Sequence, residues 1–428
     1  MRLPRAILAG VASVALAAQA DLPPELLLLS RIKRHVRESL SRLPNYTCLE
    51  TTDRSIREIQ SLVFRPLDSV RLDVSVIQGK EFHAPPGGGR VQEGHISDYV
   101  TAGAIGDGAF STHARSIFIN DLATFQYAGE EDLAGRRTVR YNYRISAFRS
   151  GYIVSTNGHQ AVVACRGSFW VDRNSLDLLR LEVDGDEIPP ELETTDLLNR
   201  IDYARVRIGA ADVMLPQSAE MTIVHTNGSA SRNLLSYTHC REYSSESSIS
   251  FGAPPPETAE HAAAAPRQTV DLPPGLAVPL TLDTPIDSAR SAVGDLLHAT
   301  STADAKIKNK IIVPAGARLT GRIRGLDRYT DPESFFEVGL EFTQIEFGNS
   351  RADFYADLQS IAPVPGLEWL ISRSHSEAHE LPGMGRLHIG ATDQVRARSL
   401  PGVGNFLMRG AHFQLPSGLR MVWKTRQP

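Results

Sequence analysis

A chain of 428 residues exceeds one ordinary compact domain of roughly 100–200 residues, so two domains are expected. Hydrophobic content of 42% and charged content of 22% are globular values, which exclude a disordered, collagen-like or polytopic membrane chain. With 45 basic against 49 acidic side chains the formal net charge is -4, which leaves no electrostatic footprint for a nucleic-acid partner.

The first twenty residues have the pattern of a secretory signal. Arg2 and Arg5 give a basic start, residues 6–18 an apolar stretch, and Ala18-Gln19-Ala20 a small-residue cleavage site. About 13 apolar residues fall short of the roughly 20 that span hydrocarbon, which argues against a transmembrane anchor. No Cys follows the cleavage site, so a lipid-modified N-terminus is not expected, and the mature chain is expected to begin at Asp21 as a soluble or peripheral protein. The expected location is the periplasm or the extracellular space.

Pro23-Pro24 opens a segment in which Leu26, Leu29, Ile32, Val36, Leu40 and Leu43 recur every three or four residues, the period of an amphipathic helix. Its other face carries Arg31, Lys33, Arg34, Arg37 and Glu38, and Pro44 ends it. From Tyr46 the period changes to two: Val70, Leu72, Val74 and Val76 share one face of a half-buried strand. Residues 136–146, 168–171, 178–183, 204–208 and 219–225 follow the same rule, and Asp184-Gly185 and Asn227-Gly228 suit hairpin turns. Pro85-Pro86-Gly87-Gly88-Gly89 is a flexible loop, and residues 96–118 beyond it lack alternation, as a helix or an irregular lid would.

Residues 251–271 shift to Pro, Ala and Thr and read as a linker between a domain of residues 21–250 and one of residues 272–428. Strand patterns resume at 277–282, 310–313, 318–323, 335–347, 352–358, 406–413 and 419–424, with a turn at Pro314-Ala315-Gly316. Many short strands with hardly a helix signal predict an all-β barrel or sandwich. The fold class expected for the whole is mainly β, with a curved antiparallel half-barrel over helices in the first domain.

In an oxidising compartment Cys48, Cys165 and Cys240 permit one bridge and leave one thiol over. Cys48 and Cys240 lie near the first and last strands of the N-terminal domain, which neighbour each other in a rolled antiparallel sheet, and form the candidate disulfide. Three buried thiols acting as small hydrophobes are the alternative.

Signatures of chemistry are sparse. His375 and His379 form a close pair, but Glu does not directly follow the first His as a zinc hydrolase motif requires, and a pair leaves a zinc shell incomplete, so no metal is expected. No nucleophile elbow occurs, Gly87-Gly88-Gly89 lacks the Lys-Ser/Thr of a phosphate loop, and Gly402-Val403-Gly404 lacks the third glycine of a dinucleotide fingerprint. Asp184, Asp186 and Glu187 are expected to solvate a hairpin tip. Phe169 and Trp170, successive in a strand, point to opposite faces. No cofactor and no catalytic residue is assigned.

The opening helix, the strand meander and the segments Ala128-Gly129-Glu130-Glu131-Asp132-Leu133-Ala134-Gly135-Arg136-Arg137 and Gly167-Ser168-Phe169-Trp170-Val171-Asp172-Arg173 give the N-terminal region a resemblance to the LolA and RseB class of bacterial envelope proteins. That resemblance implies a curved sheet wrapped over helices around an apolar concavity. Leu272-Pro273-Pro274-Gly275, Asp287-Ser288, Val293-Gly294-Asp295 and residues 311–322 make the C-terminal region similar to the barrel of the TrbI family of conjugation and type IV secretion proteins, although that family carries a membrane helix and a proline-rich arm where this chain has a signal peptide and a LolA-like domain. The two resemblances together imply an exported, non-catalytic cell-envelope protein. It would bind a hydrophobic ligand (a lipid or lipoprotein moiety) or an envelope protein partner, with its C-terminal domain used for assembly. The alternatives are a secreted hydrolase with a site between the domains and a structural interaction protein whose concavity is filled by its own side chains.

Overall fold

The computed structural model describes residues 22–87, 99–100, 103–120, 122–156, 159–243, 268–330, 333–371 and 401–428; the expected signal segment, most of the expected linker and the His375 and His379 pair lie outside them. The chain is mainly β, with a curled half-barrel sheet and further large antiparallel sheet structure.

The helical period at the N-terminus forms α1 (Pro24–Ser41), which buries Leu29, Ile32 and Val36. It is followed by β1 (Tyr46–Arg57), β2 (Arg65–Ile77), β3 (Lys80–Ala84), α2 (Thr112–Phe118), β4 (Thr124–Leu133), β5 (Arg136–Ile145), α3 (Ala147–Ser150), β6 (Tyr152–Thr156), β7 (His159–Asp172), β8 (Leu178–Asp186), β9 (Thr194–Ile208), β10 (Ala211–His225) and β11 (Ala230–Glu242). These strands form one sheet in the order β3-β2-β1-β11-β10-β9-β8-β7-β5-β4, with β6 pairing the free end of β7. Register shifts at Thr47/Leu49, Arg54/Ser55, Tyr127/Gly129, Trp170/Val171 and Pro216/Ser218 supply the bends that curl it, since a bulge increases local twist. At Gly167 a Cβ would lie 2.0 Å from the Glu182 carbonyl oxygen, so only glycine lets β7 and β8 approach there.

The Asn227-Gly228 turn lies between β10 and β11, with Gly228 at φ +85°. The Asp184-Gly185 turn is not formed: both residues lie inside β8, opposite Arg166 and Cys165 of β7. The chain reverses later, through Glu187 at φ +51° and a short 3-10 turn at Pro190–Leu192. One expected C-terminal strand is divided, and another, 406–413, ends at Arg409. Ser350–Asp353 pairs with Phe335–Phe347, whereas Ala356–Ile361 pairs with Arg420–Thr425, and buried Phe354 sits at the break between them. Gly404–Arg409 and Gln414–Leu415 join different sheets.

The C-terminal strands alternate buried and exposed positions around a core containing Trp423, Phe342 and Phe406, with Trp423 edge-on to Phe342 at 5.4 Å. Ala277–Leu282, Leu296–Ser301, Arg318–Tyr329 and Phe335–Phe347 pair in series, each antiparallel to the next. Ala356–Ile361 returns against Gly404, where a Cβ would lie 2.5 Å from that of Leu358, so the sheet rolls back on itself.

Backbone bonds join the N-terminal sheet to the C-terminal strands. Arg71 N donates to Val293 O (2.8 Å) and Val293 N to Ser69 O (2.9 Å), which extends the β2 edge. The Arg71 guanidinium reaches both oxygens of Asp295, and Arg322 donates to the carbonyls of Pro86 and Gly294. Val70 and Leu72 pack in the C-terminal core, while Val74 and Val76 of the same strand face pack in the N-terminal core. Gly294, at φ +99°, leaves 2.2 Å between a built Cβ and the Arg71 carbonyl oxygen. Gly294→Ala is therefore expected to break the junction. Scanning calorimetry should resolve its unfolding into two transitions where the parent gives one; a single unchanged transition would contradict this coupling.

Candidate functional site

The concave face of the sheet is the natural place for a site, and its composition changes along β1. Tyr46 and Cys48 point inward at one end, then Glu50, Thr52 and Arg54 at the other, all buried. Apolar filling comes from α1, from Ile117 and Phe118 of α2, and from Phe110, whose ring lies 5.3 Å from Tyr46 and 4.8 Å from Tyr237. The gap between α1, α2 and β10, lined by Leu40, Leu43 and Met214 among others, has room for no more than about one water molecule. Among the described residues, the concavity is occupied by the protein's own side chains.

Residues 103–111 plug its polar half and are held by three buried groups. Arg54 Nη1 and Asn233 Nδ2 donate to the Ala104 carbonyl at 3.3 and 3.0 Å. The Glu81 carboxylate accepts from Gly108 N (3.0 Å), Ser111 N (3.1 Å) and Thr112 Oγ1 (3.4 Å), so it caps the start of α2 with a negative charge, where a helix N-terminus favours one. His83 Nε2 sits 3.8 Å from Glu50 Oε2 and 3.7 Å from Glu81 Oε1, and all three side chains are almost fully buried. Burial raises the Glu81 carboxyl above its ordinary range, partly opposed by His83 and the Gly108 N–H. Burial pulls the His83 imidazole down, but the negative charges of Glu50 and Glu81 beside it leave it raised. A buried carboxylate–imidazole–carboxylate set of this kind binds the plug to the sheet. Its burial bars a substrate from reaching it.

His113, on α2, lies edge-on to Tyr152 at 5.2 Å, and burial lowers it to about 4, with Asp107 opposing. The fold therefore needs a neutral imidazole. Stability due to this group is complete above the unfolded value of 6.5 and is lost as the pH falls toward 4, a gap worth ~3 kcal/mol. Raised His83 and Glu81 act in the opposite sense, favouring the fold at acid pH. His113→Gln is expected to remove most of the ~3 kcal/mol acid loss attributable to that site, read as the difference in urea unfolding between pH 7 and pH 4.5 for variant and parent. Equal losses in both would show that His113 titrates normally.

The structure joins Cys48 of β1 to Cys240 of β11, with Cα atoms 4.0 Å apart. Cys165 is a free buried thiol, pushed up to about 11 by burial and Asp186, and so is not a nucleophile at neutral pH. Phe169 packs inside on Phe118 and Tyr141, whereas Trp170 faces outward and is still buried, beneath the Arg140 guanidinium and hydrogen-bonded to Glu131. Asp184 and Asp186 lie within β8 and Glu187 lies exposed in the turn that follows: Asp186 and Glu187 bind Arg144, while burial and Glu182 raise Asp184 to about 6. Among the described residues no group of His, Cys, Asp and Glu could hold a metal ion, and no helix is long and apolar enough to cross a membrane. Arg71, Asp295 and Arg322, where the N-terminal sheet meets the C-terminal strands, are engaged in backbone and ion-pair contacts.

Glu50, Arg54, Asp68, Glu81 and His83 were not singled out in the sequence. The one local trace is the inward face of β1, which turns from apolar to polar at Glu50 while the strand stays buried.

No protein family matches the chain, and no curated protein sequence is similar to it. Among solved structures it is similar to a domain named for outer membrane lipoprotein sorting from Vibrio parahaemolyticus, at 14% identity and a TM-score of 0.28 over 50% of this chain and 91% of that one. A DUF1329 family protein from Desulfovibrio piger matches at 11% identity and a TM-score of 0.28, over 52% and 94%. MucB from the Pseudomonas aeruginosa MucA/MucB complex matches at 13% identity and a TM-score of 0.16, over 76% and 89%. These likenesses are loose and say nothing of what this chain binds. None of these comparisons gives a match to the TrbI family for the C-terminal region.

Proposed function

We propose that the chain is an exported, non-catalytic envelope protein that acts by binding a protein partner on its outer surface, with the C-terminal barrel-like domain as its assembly half. Export rests on the N-terminal signal pattern, and the assembly role on the TrbI resemblance. The observation that carries the reading is the filled concavity. Phe110, Ile117, Phe118 and the plug held by Arg54, Asn233 and Glu81 occupy the space a lipid tail would need. A carrier would have to expel that plug and expose the buried ion pairs beneath it. The interior polar cluster is closed to substrate, which favours binding over hydrolysis.

Native mass spectrometry with solvent extraction of the exported chain, purified without detergent, tests this. The expected result is the bare protein mass, unchanged after incubation with lipids. A discrete co-purified lipid that extracts with solvent would overturn the reading in favour of a lipid carrier.

A further inference from the structure

The β1–β2 hairpin ends in an apolar tip that stays exposed among the described residues. Ile59 is 52% exposed, Leu62 93% and Val63 65%. The tip is an ordered turn: Ser61 N donates to Glu58 O (3.1 Å), Val63 N donates to Ser61 Oγ (3.1 Å), and Gln60 takes a left-handed φ of +64°. Its aliphatic side chains are thus presented outward by a fixed backbone.

Directly behind the tip stands a basic collar. Phe64 lies under the guanidinium of Arg232 at 4.2 Å and that of Arg57 at 5.5 Å, which fixes both charges at the base of the turn, and Arg65 adds a third, 45% exposed. Glu58 is the acid on the tip and pairs with Arg65 at 3.4 Å. Glu333, on the neighbouring C-terminal hairpin, pairs with Arg409. The acidic residues Asp184, Asp186 and Asp196 lie at the same end of the sheet but on β8 and β9. Those strands are three and four places from β1, roughly 14 and 19 Å at the usual strand spacing, and the Debye length is about 8 Å at physiological salt.

We propose that this tip docks the protein on an anionic lipid bilayer, with Ile59, Leu62 and Val63 entering the headgroup boundary and Arg57, Arg65 and Arg232 facing the lipid phosphates. The shape favours a bilayer over a protein. Protein hot spots are aromatic or arginine side chains seated in pockets, and Leu and Val are under-represented among them. A convex aliphatic point with a cationic rim is the arrangement that partitions into an interface. This docking is independent of whether the concavity holds a ligand, and so goes beyond the function proposed above.

The test is co-sedimentation of the chain lacking residues 1–20 with vesicles of phosphatidylglycerol and phosphatidylethanolamine, against vesicles of phosphatidylcholine alone. The parent is expected to bind the anionic vesicles, less at high salt. Leu62→Glu is expected to lower partitioning at least about tenfold, and Arg65→Gln about fivefold on anionic vesicles only. An environment-sensitive fluorophore on Val63→Cys should shift to the blue with anionic vesicles, a readout that does not depend on the charge-reversal variant folding. A parent chain that stays in the supernatant, a Leu62→Glu chain that sediments as the parent does, or a fluorophore that responds to a protein partner and not to vesicles would each overturn the proposal.

Discussion

Removing the Cys48–Cys240 bridge by Cys48→Ala and Cys240→Ala is expected to cost roughly 2–5 kcal/mol of stability. The two residues are separated by 192 positions, so the cross-link closes most of the N-terminal domain into one loop and restricts its unfolded state strongly. A register shift between Thr47 and Leu49 on β1, with His239 at φ +51° on β11, brings the two cysteines together. We propose that the pair oxidises on export. Urea unfolding of parent and double variant measures the loss, and peptide mapping without reductant decides the pairing. Three alkylatable thiols would remove the bridge, and with it this expectation.

The second large effect is expected at Arg54 and Asp68. Their side chains are 1% and 2% exposed, and Arg54 meets both carboxylate oxygens, 2.6 Å through Nε and again through Nη2. Asp68→Asn removes the carboxylate that pairs with the buried Arg54 guanidinium and is expected to destabilise by about 3–5 kcal/mol. Arg54→Met should lose a similar amount and also release the Ala104 carbonyl of the plug. The double variant Arg54→Met, Asp68→Leu is expected to be more stable than either single one, because it leaves no orphaned charge. A double-mutant cycle in urea checks this, and additive losses would mean that the two groups do not depend on each other.

How far the sequence carried is clear from particular elements. The period of Leu29, Ile32 and Val36 gave the opening helix, and the alternation of Val70, Leu72, Val74 and Val76 gave one face of β2, because both signals are local and repeat within a few residues. That face is divided between two cores, Val70 and Leu72 in one and Val74 and Val76 in the other, which no local pattern encodes. Gly185 looked like a turn residue and lies within a strand, since pairing with Cys165 outweighs the turn preference of an Asp-Gly pair. The buried polar cluster was illegible for the same reason. Glu50, Glu81 and His83 come from two strands, and Glu81 meets the plug at Gly108 and Ser111 only after the sheet has curled.

The sequence by itself determined a mainly β chain with an amphipathic opening helix, an export-signal pattern and a net charge that gives nucleic acid no footprint, because composition and period are properties of neighbouring residues. Tertiary structure alone decided that the concavity is filled, that charges are buried in its polar half and that an apolar tip is left outside. Each of those depends on contacts between residues far apart in the chain, and whether an apolar or charged side chain ends in a core or in water is settled only when distant strands pack around it.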